Sequence, residues 1–157
     1  MAAGRLSYSG VMDHRFGTTP IKAPLSDEEL AGVNSTNRGL AETLGIRISY
    51  VDGERTEGYV DVTPDHHQIT GIANGGLYCA IGETLGSIAA VAASGAVAVG
   101  MNNNTDLLGS VAEGRIDAVA LPVHVGKSTH LWRVEMYHEA KLVATTNLKL
   151  MVLRDRS

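Results

Sequence analysis

Apolar and polar positions alternate along Gly45-Ile46-Arg47-Ile48-Ser49-Tyr50-Val51 and again from Thr56 to Val62. A period of two marks a strand with one face buried. Asp52-Gly53 lies between the two runs, and Asp-Gly flanked by alternating segments predicts a hairpin. From Asn74 to about Ala93 the alternation stops. It gives way to a continuous run of Ala, Gly, Leu and Ile, a length that suits a helix. That helix is apolar on nearly every side, so it is expected to be buried. Four more alternating runs follow Ser94-Gly95, over about Ala96 to Leu108, Gly114 to His124, Thr129 to His138 and Leu142 to Leu153. The breaks between them, at Glu113-Gly114, Val125-Gly126-Lys127-Ser128 and Glu139-Ala140-Lys141, are short enough for hairpins. Consecutive strands are therefore expected to be antiparallel neighbours.

One hairpin, one long helix and four strands define an α+β chain, in which a curved antiparallel sheet wraps the central helix and supplies its burial. Ahead of this, residues 1–25 read as an irregular arm broken by Gly4, Gly10, Gly17, Pro20 and Pro24, draped on the surface or poorly ordered. Ser26-Asp27-Glu28-Glu29 has the form of a capping box opening a short helix, so residues 26–157 form the domain proper. A length of 157 residues fits one such domain.

Composition narrows the function. Thirteen Lys and Arg against seventeen Asp and Glu give a net charge of -4 with no basic block, which argues against a nucleic-acid partner. Cys79 is the single cysteine, so no disulfide can form within the chain and a cytoplasmic protein is expected. The first twenty residues contain Arg5, Asp13, His14 and Arg15 and lack the apolar centre of a signal peptide. Leu77 to Val99 carries one charge and a Gly82-x-x-x-Gly86 pattern, which raises a transmembrane reading. Its Ala, Gly and Ser content and the acid inside it argue against a membrane partner.

That acid is Glu83, the only charged residue between Ile69 and Thr105. An unpaired buried carboxylate is costly. Glu83 therefore faces solvent, pairs with a distant basic residue, or sits at the mouth of a pocket for acid–base work. Asn74-Gly75-Gly76 stands where the helix begins. One reading is a plain cap followed by two permissive glycines. The other is an oxyanion site, because the first backbone N–H groups of a helix lack partners and a glycine lets a carbonyl approach them. Ser87, four residues after Glu83, shares its helix face.

The segment from Gln68 through Ile69-Thr70-Gly71-Ile72-Ala73 to Asn74-Gly75-Gly76, then Glu83-Thr84-Leu85-Gly86-Ser87, resembles the signature of hotdog-fold acyl-CoA thioesterases. The closest branch is that of the phenylacetic-acid-pathway and 4-hydroxybenzoyl-CoA thioesterases, whose catalytic acid lies on the central helix. The likeness runs from about Leu44 to Leu153 and includes Leu121 to Trp132. It implies hydrolysis of an acyl-CoA substrate, with Glu83 as nucleophile or general base and the Gly75 N–H polarising the thioester carbonyl. Gln68 and Asn74 would join them at the reacting atoms. Gly76 and Ser87 would line the substrate site. Asn102-Asn103-Asn104 is unusually polar for a strand beside that site, and either shapes a polar acyl pocket, lined by Asn102 and Asn104, or marks a sheet edge. Gly126, Lys127 and Ser128 would meet coenzyme A. It also implies a site between two subunits, in a homodimer or a dimer of dimers, with no cofactor and no metal. Many relatives have His where this chain has Asn74, and an amide cannot take up a proton near neutral pH.

Two other classes fit the same resemblance: a non-catalytic acyl-CoA-binding module, and a hydratase, which would want a His working with an acid. Gly126-Lys127-Ser128 is not a P-loop, since the earlier glycine would fall on Leu121. His66-His67 lack further ligands at metal spacing. Cys79 is expected to be an inert core thiol, Trp132 a packing residue, and no G-x-S-x-G elbow exists.

Overall fold

The computed structural model describes residues 15–154. In order these form α1 (Asp27–Thr36), α2 (Leu40–Thr43), β1 (Arg47–Val51), β2 (Thr56–Val62), a 3-10 turn (Pro64–His66), α3 (Gly75–Ser94), β3 (Val97–Leu107), β4 (Gly114–Val125), β5 (Thr129–His138) and β6 (Lys141–Leu153). The six strands make one antiparallel sheet in the order β1-β2-β4-β5-β6-β3, and α3 packs against its inner face. This is the hotdog-like α+β arrangement expected from the sequence.

Local signals act as read. Ser26 and Glu29 close a reciprocal capping box on α1. Asn74 caps α3, and Gly95 ends it in the left-handed conformation (φ 65°), which costs glycine no Cβ clash. Asp52 builds the β1–β2 turn by accepting from the Glu54 and Arg55 N–H groups. Leu77, Ile81, Leu85 and Ile88 point into the core with Trp132, Val134, Met136, Leu148 and Leu150 of the sheet. The apolar helix is thus the buried core helix. The Gly82 and Gly86 pair serves the sheet: a Cβ on Gly82 would run into Thr146, and one on Gly86 would meet Leu148.

One expectation is corrected. β3 does not pair with β4; it crosses to the far edge and pairs with β6, from Val97↔Leu153 to Leu107↔Ala144. The connecting segment passes the start of α3 and is pinned there, because the Val111 carbonyl accepts from the Ala73 N–H and the Ala112 carbonyl meets His67 Nε2 at 2.7 Å. Six residues, 108–113, are enough chain to make that crossing. Of the predicted arm, residues 1–14 lie outside the described residues. The rest is anchored: Ile21 and Leu25 are buried, with N–H groups given to Ala92 and Val51 carbonyls, and Arg15 clasps Glu29 at 2.7 Å. Arg15 and the Ser26 N–H hold the Glu29 carboxyl down at about 2.

Candidate active site

The β2–α3 loop delivers the chain to the first turn of α3. His67 and Ala73 bridge as an antiparallel pair, and Asn74 N–H bonds the His66 carbonyl at 2.8 Å. Asn74 Oδ1 then accepts from the Gly76 N–H at 2.8 Å. Asn74 is therefore a working cap, and it consumes the donor of Gly76. The N–H of Gly75 finds no acceptor among the described residues and points out of the helix end, where the dipole is positive. Leu107 stands over Gly75 so closely that a Cβ there would come within 2.8 Å of its Cδ1. Gln68 is half-buried in the same loop, its backbone closing a tight turn with Gly71 and Ile72.

Glu83 is half-buried on the side of α3 that faces edge strand β3. Its Oε2 accepts from Asn103 Nδ2 at 3.2 Å, and that amide also donates to the Cys79 carbonyl at 3.0 Å. Its Oε1 lies against Gly100, where any Cβ would collide with it. No described basic side chain pairs with Glu83, so the distant ion-pair reading falls away. Ser87 is half-buried one turn further on.

The structure does not bring all the sequence candidates together. Asn102 and Asn104 are exposed and project from the outer face, away from Glu83; Asn103, which sequence reasoning passed over, is the asparagine that faces in. The cause is a β-bulge. Register shifts between Gly100↔Leu150 and Asn102↔Lys149, so an extra residue at Met101 reverses the alternation. Inward positions change from Ala98 and Gly100 to Asn103, Thr105 and Leu107. Strict alternation carried past Gly100 would have pointed 102 and 104 inward, and nothing in the sequence marks the bulge.

The Gly126-Lys127-Ser128 turn joins β4 to β5 and lies just beyond the rung formed by Val125, His130, Leu150 and Gly100. It lies two to three strand spacings, about 10–14 Å, across the sheet from β3. It is thus no part of the Glu83 cluster within one chain. Behind it His130 is buried and accepts from Trp132 Nε1 at 3.4 Å; burial pushes its imidazole down, and the Arg154 and His124 charges add to this. Cys79 also departs from expectation. It is exposed one turn before Glu83.

Comparison with known proteins fixes the class. The model of the thioesterase superfamily matches residues 70–145. Rv1847 of Mycobacterium tuberculosis is 34% identical over 119 residues, 72% of this chain and 85% of that protein. The 1,4-dihydroxy-2-naphthoyl-CoA hydrolase of Listeria monocytogenes is 31% identical over 121 residues, 75% of this chain and 98% of its own length. The solved thioesterase HI1161 of Haemophilus influenzae shares the fold at a TM-score of 0.77 and 27% identity, covering 85% of this chain and 94% of that one. The fold and the family together define a hotdog thioester hydrolase. The chain belongs to the thioesterase superfamily.

Proposed function

We propose that this protein hydrolyses an aryl- or medium-chain acyl-CoA thioester to the free acid and coenzyme A. The observation that carries the reading is the presence, on one helix, of an open Gly75 N–H and of Glu83, a half-buried carboxylate with no cationic partner among the described residues. A Listeria relative whose name gives it a naphthoyl-CoA substrate supports the aryl side of the range.

In the reaction the thioester carbonyl accepts from the Gly75 N–H, which stabilises the oxyanion that forms there. Glu83 takes a proton from water as the hydroxide adds to the carbonyl carbon, or adds directly as nucleophile. On the general-base route, collapse of the tetrahedral species breaks the C–S bond, the proton held by Glu83 passes to the sulfur, and coenzyme A leaves as its thiol. On the nucleophilic route coenzyme A leaves as a thiolate that takes its proton from solvent, and water then cleaves the acyl–Glu83 anhydride to release the acid and restore the carboxylate. Gln68 borders the reacting atoms and Ser87 the acyl group. Asn74 acts on the reaction only as the cap that leaves Gly75 free.

One chain does not complete this site. Eight residues at 1.5 Å separate Gly75 from Glu83, about 12 Å along the axis. The Gly75 N–H points away from Glu83, so a bound oxyanion lies about 3 Å further still. A glutamate side chain does not bridge that gap. Glu83 of one protomer therefore works with Gly75 of its partner. Edge strand β3 supports a homodimer: it presents an unpaired edge with exposed Val99, Met101 and Leu107, beside the Glu83 carboxylate. Lys127 and the turn around it would meet coenzyme A phosphates across that assembly. A reducing cytoplasm suits a chain whose only thiol is exposed near its site.

The test is release of free coenzyme A thiol from benzoyl-, 4-hydroxybenzoyl-, phenylacetyl-, hexanoyl- and palmitoyl-CoA, with Glu83→Ala run beside wild type. Turnover that falls at least ~1000-fold in a folded Glu83→Ala protein is expected. Binding without release in wild type would instead make this an acyl-CoA-binding module.

A further inference from the structure

The Glu83 carboxylate is held by a chain of hydrogen bonds with a fixed direction. Asn103 Nδ2 has two protons and spends both, one on Glu83 Oε2 (3.2 Å) and one on the Cys79 carbonyl (3.0 Å). Thr105 Oγ1 lies 2.8 Å from Asn103 Oδ1 and donates to it. Thr105 and Thr146 hydroxyls are 2.7 Å apart, and since the Thr105 proton is committed to the amide, Thr146 is the donor. Thr146 is fully buried and packed against Gly82, where α3 carries no Cβ. A flipped Asn103 amide would set its oxygen against a carboxylate and a carbonyl at once, and would face the Thr105 proton with N–H groups. The chain therefore locks the amide with its nitrogen toward Glu83.

From this we infer that Asn103 is a positioning residue for Glu83, a deepening of the thioesterase reading on which it rests. The amide keeps Oε2 engaged, while the missing Cβ at Gly100 gives Oε1 its place on the far side. One oxygen is anchored and the other is aimed. The Met101 bulge makes this possible, because it is what brings Gly100 and Asn103 to the same face on either side of the carboxylate. A carboxylate anchored in this way is preorganised for attack or proton abstraction and loses little freedom in reaching the transition state.

The experiment uses the full-length protein and whichever thioester of the panel it hydrolyses fastest. Asn103→Leu should lower kcat about 10- to 100-fold and leave KM within about twofold, since the amide orients a reacting group and does not hold substrate. Asn103→Asp places a second carboxylate beside the first, and the pair then holds a proton more tightly, so the acid limb of the pH–rate profile should move to higher pH. Thr105→Val should reproduce part of the kcat loss and Thr105→Ser should restore most of it. Unfolding midpoints of all four variants establish that they are folded. A separate reading needs no turnover: in 15N-labelled protein, Glu83→Gln should move the Asn103 side-chain amide resonances. Folded Asn103 variants with wild-type kcat and an unmoved acid limb, alongside a dead Glu83→Ala, would overturn this inference alone. Thiol release that does not depend on Glu83 would overturn the function. The amide resonances would then still decide the clamp: shifted resonances support it, and unmoved resonances refute it.

Discussion

At the first turn of α3 the atom proposed to act on the thioester belongs to the backbone; at the third turn it belongs to a side chain. The Gly75 N–H is positioned by helix geometry alone, with Asn74 satisfying its neighbour and leaving it open. Glu83 has no such intrinsic direction. Its carboxylate is placed by contacts from another element, Asn103 and Gly100 of β3, and through Thr105 by Thr146 of β6. The first turn therefore needs little sequence to work, whereas the third depends on long-range packing. The two differ accordingly in what damages them.

The largest effect expected at the first turn comes from removing one proton. Gly75→Pro deletes the N–H at the first helical position, where the proline backbone is favoured, and the extended backbone of Asn74 (φ -64°, ψ 140°) suits a residue before proline. The new Cβ meets the Leu107 Cδ1, an exposed side-chain end that has room to turn aside. Turnover should fall about 100- to 1000-fold, the usual cost of losing an oxyanion donor, with helix content by circular dichroism retained. Full activity in this variant would remove the first turn from the mechanism.

The third turn should break by crowding instead. Gly82→Ala pushes a methyl group into buried Thr146, one residue from Glu83. Overpacking of this kind costs about 1–3 kcal/mol and outweighs the gain in helix propensity. Denaturant melts should show it, and activity should drop with it. At the start of the helix, Asn74→Ala removes a side chain and crowds nothing, and should cost only about 1 kcal/mol, the worth of one cap.

The smallest effect lies away from both turns and separates them from general acid instability. The buried His130 is held below its ordinary value by burial, so the unfolded chain binds a proton near pH 6.5 that the folded chain refuses. Its contribution to stability is complete above that pH and is lost as pH falls toward the folded value. His130→Phe should flatten the stability–pH slope just below 6.5 and leave the Glu83-dependent activity in place. An unchanged slope would show that His130 is not the group responsible.

How much of this could be read from the sequence follows the same division. Local signals were legible: the alternating β1–β2 hairpin, the Ser26 box, the Asn74 and Gly95 caps and the isolation of Glu83 all reflect interactions within a few residues. The order of the strands was not. Hairpin-length breaks permit neighbours to pair without requiring it, and the 108–113 segment is instead fixed by contacts with the β2–α3 loop. The bulge at Met101 was equally silent, and it misdirected the choice of Asn102 and Asn104 over Asn103. Cys79 was expected in the core because α3 is apolar all round, yet its turn lies beside the sheet edge, where the helix is uncovered.

The central claim is that the two turns act on one thioester from different chains. Mixing two inactive proteins tests it most directly. Gly75→Pro and Glu83→Ala subunits, co-expressed or refolded together, would assort into dimers of which half are mixed, and each mixed dimer would hold one site with both an intact Gly75 and an intact Glu83. Thiol release should return to about a quarter of the wild-type rate, with each parent alone remaining inactive. Mixed dimers, verified by differential tags, that stay as inactive as their parents would contradict the account and place both turns in one chain's site.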